Sequence, residues 1–336
     1  MKPLLERLKD PAPLLFDGAF GTELFARGVE LPNSALANEQ HPDAVVDVHA
    51  AYLEAGSDLI ETNTFVASSL HLDMASAGDA DPGELATRAV ELARRAVDRT
   101  ADQAGRPAYV MGSLGPSPGA IEADTGESDF GLANDRVRAA HQQVAEALAR
   151  AGVDGFAVET MFSAKEAAIA VDVARQFGLP ISVSMTCKYT GDRPDGAPEY
   201  RTDWGHSPAD LLDNLASGEL SGGDDLLPHV HLLGLNCGAE SEREEHTGMT
   251  YAIHGAHQYT AALADRHIEG KHLIAYPNEG LPSLDETTGR TTFRLSPGDM
   301  AAQLPAVLAA GIQVIGGCCG TTPAHIAAFR KALDQK

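Results

Sequence analysis

The sequence predicts an α/β protein built as a single (β/α)8 TIM barrel, in which eight parallel strands alternate with helices. Three observations support this fold: eight short apolar runs, amphipathic segments between them, and polar residues near the carboxyl end of each run. The chain has 336 residues, of which 43% are apolar, so a large core can form. We therefore expect one domain over residues 1–336, with the barrel core at about 14–329.

The eight apolar runs are the candidate strands. Each is only a few residues long and is bounded by turn residues, as is typical of buried parallel strands. In chain order they cover residues 14–17, 58–65, 108–115, 155–160, 180–186, 232–237, 272–278 and 314–319.

The segments between the strands predict the helices. In residues 83–100, for example, Leu85, Ala89 and Leu92 recur on one helical face. Three such segments end at a glycine before the next strand, as helix-to-strand loops prefer. Pro305 predicts a kink in the segment 296–311.

A doubly wound open sheet is the alternative α/β fold. It would place a glycine-rich phosphate loop after the first strand, and DGAFGTEL at residues 17–24 matches G-x-G-x-x-G poorly. No linker, low-complexity tract or internal repeat is evident, which also favours one barrel.

The net charge of −23 makes nucleic acid and anionic membranes poor partners, because their phosphate groups would be repelled. The apolar runs are too short for a membrane helix, and the N-terminal residues lack the apolar stretch of a signal peptide. We therefore expect a cytoplasmic protein whose cysteines are reduced. The sequence leaves open whether the chain forms a homo-oligomer.

Polar residues at the strand ends predict a functional site, because in a barrel these ends open onto one mouth. Polar groups are costly to bury without partners, so their clustering there indicates a binding pocket. They are Asp17, Glu61 with Asn63, Ser113, Glu159 with Thr160, Ser184, Cys237, Asn278, and Cys318 with Cys319.

Three of the four cysteines fall at this mouth. Cys237 ends the sixth strand, and the adjacent Cys318 and Cys319 end the eighth. Three converging thiolates would suit zinc and would leave its fourth position open, as in catalytic sites. A vicinal disulfide and buried core cysteines are the alternatives. Two adjacent cysteines can share one ion only if the backbone bends, which the flanking glycines Gly316, Gly317 and Gly320 would allow.

A zinc ion with three thiolates is a poor Lewis acid for activating water, because the thiolates donate so much negative charge. It can still bind a substrate thiol and lower the pKa of that thiol from about 8.5. A thiolate held in this way can attack an electrophilic carbon, most simply a methyl group. Hydrolysis would be better served by histidine and carboxylate ligands. The cysteines therefore indicate alkyl transfer to sulfur.

Seven motifs together resemble the homocysteine S-methyltransferase family. This family includes the homocysteine-binding barrel of cobalamin-dependent methionine synthase, betaine–homocysteine methyltransferase and S-methylmethionine-dependent enzymes. The resemblance covers about residues 14–329, and the pairing of GLNC with GGCCGTTP is its most specific part. The motifs are DGAFGTEL (17–24), EAGSDLIETNTF (54–65), GSLGPS (112–117), VET (158–160), GLNC (234–237), PNEGLP (277–282) and GGCCGTTPAHI (316–326).

The resemblance implies a zinc-dependent methyltransferase that converts homocysteine to methionine. Zinc would be bound by Cys237, Cys318 and Cys319, with the homocysteine sulfur as its fourth ligand and the substrate thiolate as the reacting group. Asp17 and Glu159 would bind the homocysteine ammonium. The remaining predicted substrate-binding residues are Gly18, whose neighbouring N–H groups would bind the carboxylate, Asn278, which would fill the open zinc position before substrate enters, and Phe20, Asn63, Phe65 and Ser113.

The methyl donor is not determined by the sequence. Val66 stands where betaine enzymes carry a tyrosine, and Gly320 stands where S-methylmethionine enzymes tend to carry arginine. The motifs PNEGLP and GGCCGTTP are most similar to the methionine synthase barrel, yet the length leaves no room for folate and cobalamin domains. The chain is therefore expected to use a small sulfonium or ammonium donor directly, or to present homocysteine to a separate corrinoid or folate methyl-carrier protein. A different thiol or selenol acceptor is a third reading.

Residues 187–208 depart from the family pattern, because the segment is longer and carries the single tryptophan, Trp204. Segments of this length are often lids or binding loops. One hypothesis is that it covers the donor side of the pocket, where an aromatic face would stabilise a cationic donor. A surface insertion is the alternative.

Overall fold

Eight parallel strands form the central sheet, as the sequence predicts, in a computed structural model that describes residues 2–126, 131–285 and 290–335. Each strand overlaps one of the predicted apolar runs. The strands are β1 (Leu14–Leu15), β2 (Leu59–Glu61), β3 (Tyr109–Leu114), β4 (Gly155–Met161), β5 (Ile181–Met185), β6 (Leu232–Cys237), β7 (His272–Pro277) and β8 (Ile312–Ile315).

The sheet curls into a barrel whose seam lies between β1 and β2. Hydrogen bonds join the strands in the order β1-β8-β7-β6-β5-β4-β3-β2. Asp58, just before β2, spans the seam: its N–H donates to Leu15 O (2.7 Å), and its carboxylate accepts from Leu15 N (2.8 Å). Arg330 of the C-terminal helix donates to the same carboxylate (2.6 Å). One aspartate therefore holds together the two ends of the strand order.

β8 differs from its predicted bounds. It begins two residues earlier than predicted and ends at Ile315, so the cysteine pair lies in the following loop and not on the strand. The loop still follows β7, because Gly316 N donates to Ala275 O (3.0 Å) and Cys318 N donates to Pro277 O (2.9 Å). The glycines let the chain leave strand geometry while it stays attached to the barrel.

Large apolar side chains fill the barrel interior. Phe16, Tyr109, Met111 and Tyr276 are among the buried residues that pack there, and Phe16 and Tyr276 have ring centroids 5.4 Å apart. The N-terminal helix closes the end of the barrel opposite the strand ends, since its leucines join this cluster and Tyr109 Oη donates to Lys2 O (2.7 Å). The interior is therefore a packed core, and in a barrel of this kind the functional pocket is expected at the carboxyl ends of the strands.

The helices pack around the sheet. The predicted kink at Pro305 is a complete break between two short helices. No helix in the described part of the chain is long and apolar enough to cross a membrane. The α-helices are Leu4–Arg7, Phe20–Ala26, Ala37–Gln40, Pro42–Ala55, Ser69–Met74, Pro82–Ala104, Glu122–Thr125, Asn134–Ala151, Ala164–Ala174, Pro208–Ser217, Gly248–Asp265, Pro297–Ala302, Leu304–Ala309 and Pro323–Asp334, and the 3-10 helices are Ser34–Leu36, Arg175–Phe177, Leu227–His229 and Glu244–His246.

Two antiparallel hairpins interrupt the strand–helix alternation. Lys188–Asp192 pairs with Pro198–Arg201 after β5, and Ser283–Asp285 pairs with Arg290–Thr292 after β7. The first hairpin lies in the segment that the sequence predicts as an irregular loop. It is anchored by the fully buried Tyr200, whose N–H donates to Gln258 Oε1 (3.0 Å). That contact joins residues far apart in the chain, so local sequence gives no sign of it.

Replacing Asp58 by Ala should weaken the barrel seam. The change removes the acceptor for Leu15 N and leaves the partly buried Arg330 guanidinium with only the long contact to Asp334 (4.0 Å) as an ion pair. We expect the free energy of unfolding to fall by about 2–4 kcal/mol, measured by urea denaturation. The control is Asp47→Ala, whose carboxylate pairs with Arg99 (2.7 Å) at the surface and should change stability by less than about 1 kcal/mol. Equal effects of the two changes would contradict the role of Asp58.

Candidate metal centre and substrate pocket

Three cysteine sulfurs lie together at the mouth of the barrel. The Sγ atoms of Cys237, Cys318 and Cys319 are all within 4.8 Å of one another, and Cys237 Sγ is 4.0 Å from Cys319 Sγ. All three side chains are half-buried, and none is in a disulfide. The structure therefore brings together the three thiols that the sequence places at one mouth of the barrel. The fourth, Cys187, is fully buried beside Tyr251 and is not in this cluster.

Cys237 reaches the centre through an unusual backbone conformation. Its φ of 56° lies in the left-handed region, which residues other than glycine rarely adopt. Asn278 N donates to Cys237 O (3.0 Å), which fixes the carbonyl on one side. The preceding Asn236 is fully buried and bonds Thr160, itself at φ 57°, through its amide oxygen (2.8 Å) and nitrogen (2.6 Å). Several hydrogen bonds thus hold a strained strand end that presents a thiol.

The loop after β8 is held close to β1. A Cβ on Gly316 would lie 2.7 Å from Asp17 O, and one on Gly317 would lie 2.4 Å from Thr321 Oγ1. Gly317 N also donates to Asp17 O (3.0 Å), and Thr321 Oγ1 donates to Cys318 O (2.6 Å). Only glycine fits at these two positions, and the close approach sets the direction in which the cysteine pair leaves the strand.

The three thiols cannot all ionise without a cation, because they are close together and largely buried. Hydrogen bonds from Cys237 and Cys318 lower the pKa of Cys319 to about 3. Donation of hydrogen bonds to the other two sulfurs, together with burial, raises the pKa of Cys318 well above its ordinary value. Cys319 is therefore the most easily ionised of the three thiols, and Cys318 is the one that burial and its neighbours keep protonated most strongly.

The residues present fit a metal ion of the zinc type. Tetrahedral zinc with Zn–S bonds of about 2.3 Å requires sulfur–sulfur distances of about 3.8 Å, close to the 4.0 Å between Cys237 and Cys319. The hydrogen bond with Cys318 lowers the pKa of Cys237, but the hydrogen bond with Cys319 and burial outweigh it and raise the pKa to about 12. Asn278 lies beside the cluster, and a hydrogen bond from its amide opposes this rise. Its Oδ1 is buried and has no hydrogen-bond partner among the described residues. A soft three-sulfur set with one unsatisfied oxygen nearby is a donor set for zinc.

A second buried group at the mouth consists of the carboxyls of Asp17, Glu61 and Glu159. Asp17 and Glu159 are 2% and 5% exposed, respectively. Asp17 Oδ2 accepts from Glu61 N (2.9 Å), and Glu159 accepts from Ser113 Oγ. Glu61 Oε1 is buried with no hydrogen-bond partner in residues 2–126, 131–285 and 290–335. Three carboxyls with one unsatisfied oxygen make a pocket that is suited to a cation with several N–H donors.

These carboxyls hold protons more strongly than exposed ones. Burial raises the pKa of Glu159 to about 7, and the negative charge of Cys319 acts in the same direction. Burial also raises the pKa of Asp17 and of Glu61 well above their ordinary values, and the neighbouring carboxyls add to the effect on each. A bound ammonium group would reverse these shifts, because an opposite charge favours the ionised form.

Four other residues predicted to line the pocket make contacts that support neighbouring parts of the protein. Asn63 Nδ2 donates to Ser34 O (2.8 Å) and to Asn38 Oδ1 (3.0 Å), so its amide supports the Asn33–Gln40 region. Phe65 packs against Gly115, where an added Cβ would lie 2.7 Å from its ring. Phe20 packs against the buried His49 with ring centroids 4.7 Å apart, and Gly18 approaches Tyr52 and Thr321 closely. The roles of all four toward a substrate stay predictions.

Glu61 is among the polar strand ends that the sequence places at the mouth, although the substrate-binding residues that the family resemblance implies include Asn63 and not Glu61. Side chains alternate along a strand, so Glu61 shares the inward face with Leu59, which is buried in the barrel interior. That alternation was the available signal. Ser184 also points inward, where its hydroxyl bonds Asn236 (2.8 Å) and Tyr276 (2.6 Å) beneath the pocket.

Comparison of the sequence with known proteins identifies one family. The family model described as homocysteine S-methyltransferase matches residues 14–333. The chain is 31% identical to a homocysteine S-methyltransferase of Escherichia coli, over 98% of this chain and 97% of that protein. It is 30% identical to methionine synthase of Mycobacterium tuberculosis over 92% of its own length, and the match spans about a quarter (24%) of that longer protein.

Solved structures show the same similarity. The metallated form of the homocysteine methyltransferase MmuM from Escherichia coli superposes with a TM-score of 0.70 at 28% identity, covering 98% of this chain and 99% of that one. The oxidised form of the same enzyme gives a TM-score of 0.69 at 27% identity, with 98% of each chain covered.

The purified chain should bind about one zinc ion, and each mouth cysteine should be needed. Replacing Cys237, Cys318 or Cys319 by Ala removes one of three thiolate ligands. We expect each change to weaken zinc affinity by more than the roughly 10–100-fold that loss of an outer-shell partner costs, measured by competition with a chromophoric chelator. Cys187→Ala is the matched control, because this thiol is buried outside the cluster, and it should keep full zinc content. Loss of zinc in the control as well, or retention in all variants, would contradict the site.

Proposed function

Because the chain belongs to the homocysteine S-methyltransferase family, we propose that it moves a methyl group from a donor to the sulfur of homocysteine and so forms methionine. The observation that carries this proposal is the cluster of three half-buried thiols at the barrel mouth. Next to it lies a pocket of buried carboxyls that suits the ammonium of an amino acid. A thiol centre and an ammonium pocket at one mouth match the two ends of homocysteine.

The proposed metal is zinc, bound by Cys237, Cys318 and Cys319. When bound, the ion would supply a Lewis acid that keeps the homocysteine sulfur ionised at neutral pH. The protein side chains hold the ligand set in place: Asn236 fixes the strand end of Cys237, and the loop glycines fix the cysteine pair. Asn278, whose Oδ1 lacks a partner among the described residues, is proposed to fill the open position before homocysteine enters.

The carboxyl pocket would position the amino acid end of the substrate. Asp17 and Glu159 are proposed to accept hydrogen bonds from the ammonium, while Ser113 orients the Glu159 carboxylate. Binding of the ammonium favours ionised carboxyls, so protons held by this buried group are released as the substrate enters. N–H groups near Gly18 are proposed to bind the substrate carboxylate.

Methyl transfer then needs correct placement more than acid–base chemistry. The homocysteine sulfur attacks the methyl carbon, the bond from that carbon to the donor breaks, and its electron pair leaves with the donor. The carboxyl pocket fixes one end of the acceptor, so the sulfur is held in position for attack along the line of the breaking bond. No protein side chain is required as a nucleophile.

A second candidate is a homocysteine-binding subunit that works with a separate methyl-carrier protein. The match to a quarter of the length of a methionine synthase favours it. Gly320 also favours this candidate. Its φ is 85°, and an added Cβ would lie 2.3 Å from the Phe293 ring. An arginine, expected there in S-methylmethionine enzymes, would therefore need a rearranged loop.

A donor panel separates the two candidates. The zinc-loaded chain would be incubated with homocysteine and, in turn, S-methylmethionine, S-adenosylmethionine, betaine, methyl-folate and methylcobalamin, and methionine would be measured. Methionine formation with a small donor and no added protein supports the self-sufficient enzyme. Formation only with an added corrinoid protein supports the subunit. No methionine in any arm, together with no binding of homocysteine, would contradict the proposed function.

Replacing Glu159 by Gln should stabilise the ligand-free protein and weaken substrate binding. A carboxyl whose folded pKa is raised from 4.5 to about 7 loses stabilising free energy as the pH rises through this window. The neutral amide avoids that cost, so we expect Glu159→Gln to be more stable than wild type by about 1–3 kcal/mol at pH 8, with little gain at pH 4.5. Homocysteine affinity at pH 8 should fall by at least about tenfold, because the charge opposite the ammonium is lost.

Glu240→Gln is the matched control, for which the expected change in stability at pH 8 has the opposite sign. Burial raises the pKa of Glu240, but N–H groups of Glu242 and Arg243 outweigh it and lower the pKa overall. Its ionised form therefore stabilises the fold above the unfolded pKa, and the variant should be less stable at pH 8. Urea denaturation at the two pH values and calorimetric titration with homocysteine provide the readouts. A destabilised Glu159→Gln that binds homocysteine normally would contradict the assignment.

A further inference from the structure

The proposed acceptor has to bind at two places at once, and the structure connects these two places directly. Its ammonium would bind the buried carboxyls of Asp17 and Glu159, and its sulfur would bind beside the three mouth thiols. Burial raises the pKa of Glu159, and the negative charge of Cys319 adds to this rise, so the two groups lie within electrostatic range. The distance at which they are held decides which amino-acid thiols can reach both.

One connection between the two groups is made by backbone atoms. Gly317 N donates to Asp17 O (3.0 Å), and Gly317 immediately precedes Cys318. A Cβ on Gly316 would lie 2.7 Å from the same carbonyl oxygen, so the two segments are in close contact. The first carboxyl residue is thereby fixed against the loop that carries the cysteine pair.

The other connection starts at an irregularity in β4. Residues 158–161 of β4 align with residues 183–185 of β5, so β4 contains one extra residue at this point. The extra residue falls at Glu159 and Thr160, and Thr160 has a φ of 57°. Bulges of this kind change the direction of a side chain and are common next to active sites. The direction of Glu159 is therefore set at the bulge.

Asn236 holds the bulge with its side-chain amide. Thr160 N donates to Asn236 Oδ1 (2.8 Å), and Asn236 Nδ2 donates to Thr160 Oγ1 (2.6 Å). Because β5 lies between β4 and β6 in the sheet, the amide reaches past a neighbouring strand to make these bonds. Asn236 is fully buried and immediately precedes Cys237. One side chain therefore connects the strand end that carries Glu159 with the strand end that carries Cys237.

A further hydrogen bond of the same amide does not involve β4. Ser184 Oγ donates to Asn236 Oδ1 (2.8 Å) and accepts from Tyr276 Oη (2.6 Å). This bond supports Asn236 from β5 and β7 but makes no contact with the bulge. The two kinds of contact can therefore be removed separately.

We propose that Asn236 is a positioning residue that, through Thr160, fixes the distance between the ammonium pocket and the thiol centre and so makes the site select the chain length of the acceptor. The inference rests on the proposed function and adds its specificity for homocysteine over cysteine, which is one methylene shorter. A ligand that binds at two fixed points gains from binding both only when its length matches their separation. A missing methylene is then worth roughly 10–200-fold in discrimination.

The test compares homocysteine with cysteine in calorimetric titrations of the zinc-loaded chain without a methyl donor. Thr160→Val keeps the shape of the side chain but removes the acceptor for Asn236 Nδ2, and Asn236→Ala removes the whole connection. Thr160→Ser keeps the hydroxyl. Ser184→Ala is the matched control, because it removes a hydrogen bond from the same amide without changing β4. Zinc content and thermal unfolding are measured for every variant.

We expect wild type to bind homocysteine at least about tenfold more tightly than cysteine. In Thr160→Val this ratio should fall by at least about threefold, through weaker binding of homocysteine, while the zinc content stays at the wild-type level. Asn236→Ala should lower the ratio at least as far, and Thr160→Val carries the test if that variant does not fold. Thr160→Ser and Ser184→Ala should keep the wild-type ratio. A purely structural role would weaken both ligands equally and leave the ratio unchanged.

Three results would overturn the inference: a wild type that binds both thiols equally, an unchanged ratio in Thr160→Val, or an equal fall of the ratio in Ser184→Ala. Normal binding of zinc and homocysteine by wild type in those cases leaves the proposed function intact. A zinc-loaded wild type that does not bind homocysteine rejects the proposed function itself, and the inference with it.

Discussion

Repulsion among buried negative groups is the physical constraint on which the mouth of this barrel depends. Three thiols and three carboxyls meet there, and within each set the ionised forms repel one another. Burial and mutual proximity raise the free energy of the charged forms. A divalent cation among the sulfurs and an ammonium among the carboxyls would relieve both sets at once. The proposed binding of these two cations would therefore be favoured by the same electrostatic repulsion.

The fold holds these groups close together because many hydrogen bonds and close contacts fix the backbone around them. Cys237 and Thr160 both have left-handed φ values, and the buried Asn236 amide ties the strand ends that carry them. The loop with the cysteine pair is held between β1 and β7 by hydrogen bonds that only glycine's small size permits. Strain of this kind persists only where the surrounding structure fixes it, and it commonly occurs at functional sites. The packed barrel below supplies that rigidity.

The sequence predicted the parts of the structure that follow from short residue patterns and from the geometry of a barrel. The eight strands followed from short apolar runs, and the thiol cluster followed from Cys237, Cys318 and Cys319 standing at strand ends that share one mouth. The seam closed by Asp58, the early end of β8 and the hairpin anchored by Tyr200 were not predicted, because each depends on a partner far away in the chain. Glu61 stands among the predicted strand ends, but its place beside Asp17 was not predicted, because the inward face of a three-residue strand is hard to assign from so few side chains. Family resemblance supplied what spacing could not, namely homocysteine as the acceptor.

The central claim is that sulfurs from β6 and the loop after β8 bind one ion and leave a position for the sulfur of homocysteine. X-ray absorption at the zinc K-edge, recorded on the zinc-loaded protein before and after addition of homocysteine, tests it most directly. The account predicts three sulfur neighbours at about 2.3 Å with one lighter atom, changing to four sulfur neighbours when homocysteine is present. Two or fewer sulfurs in the first spectrum, or no gain of a sulfur in the second, would contradict it.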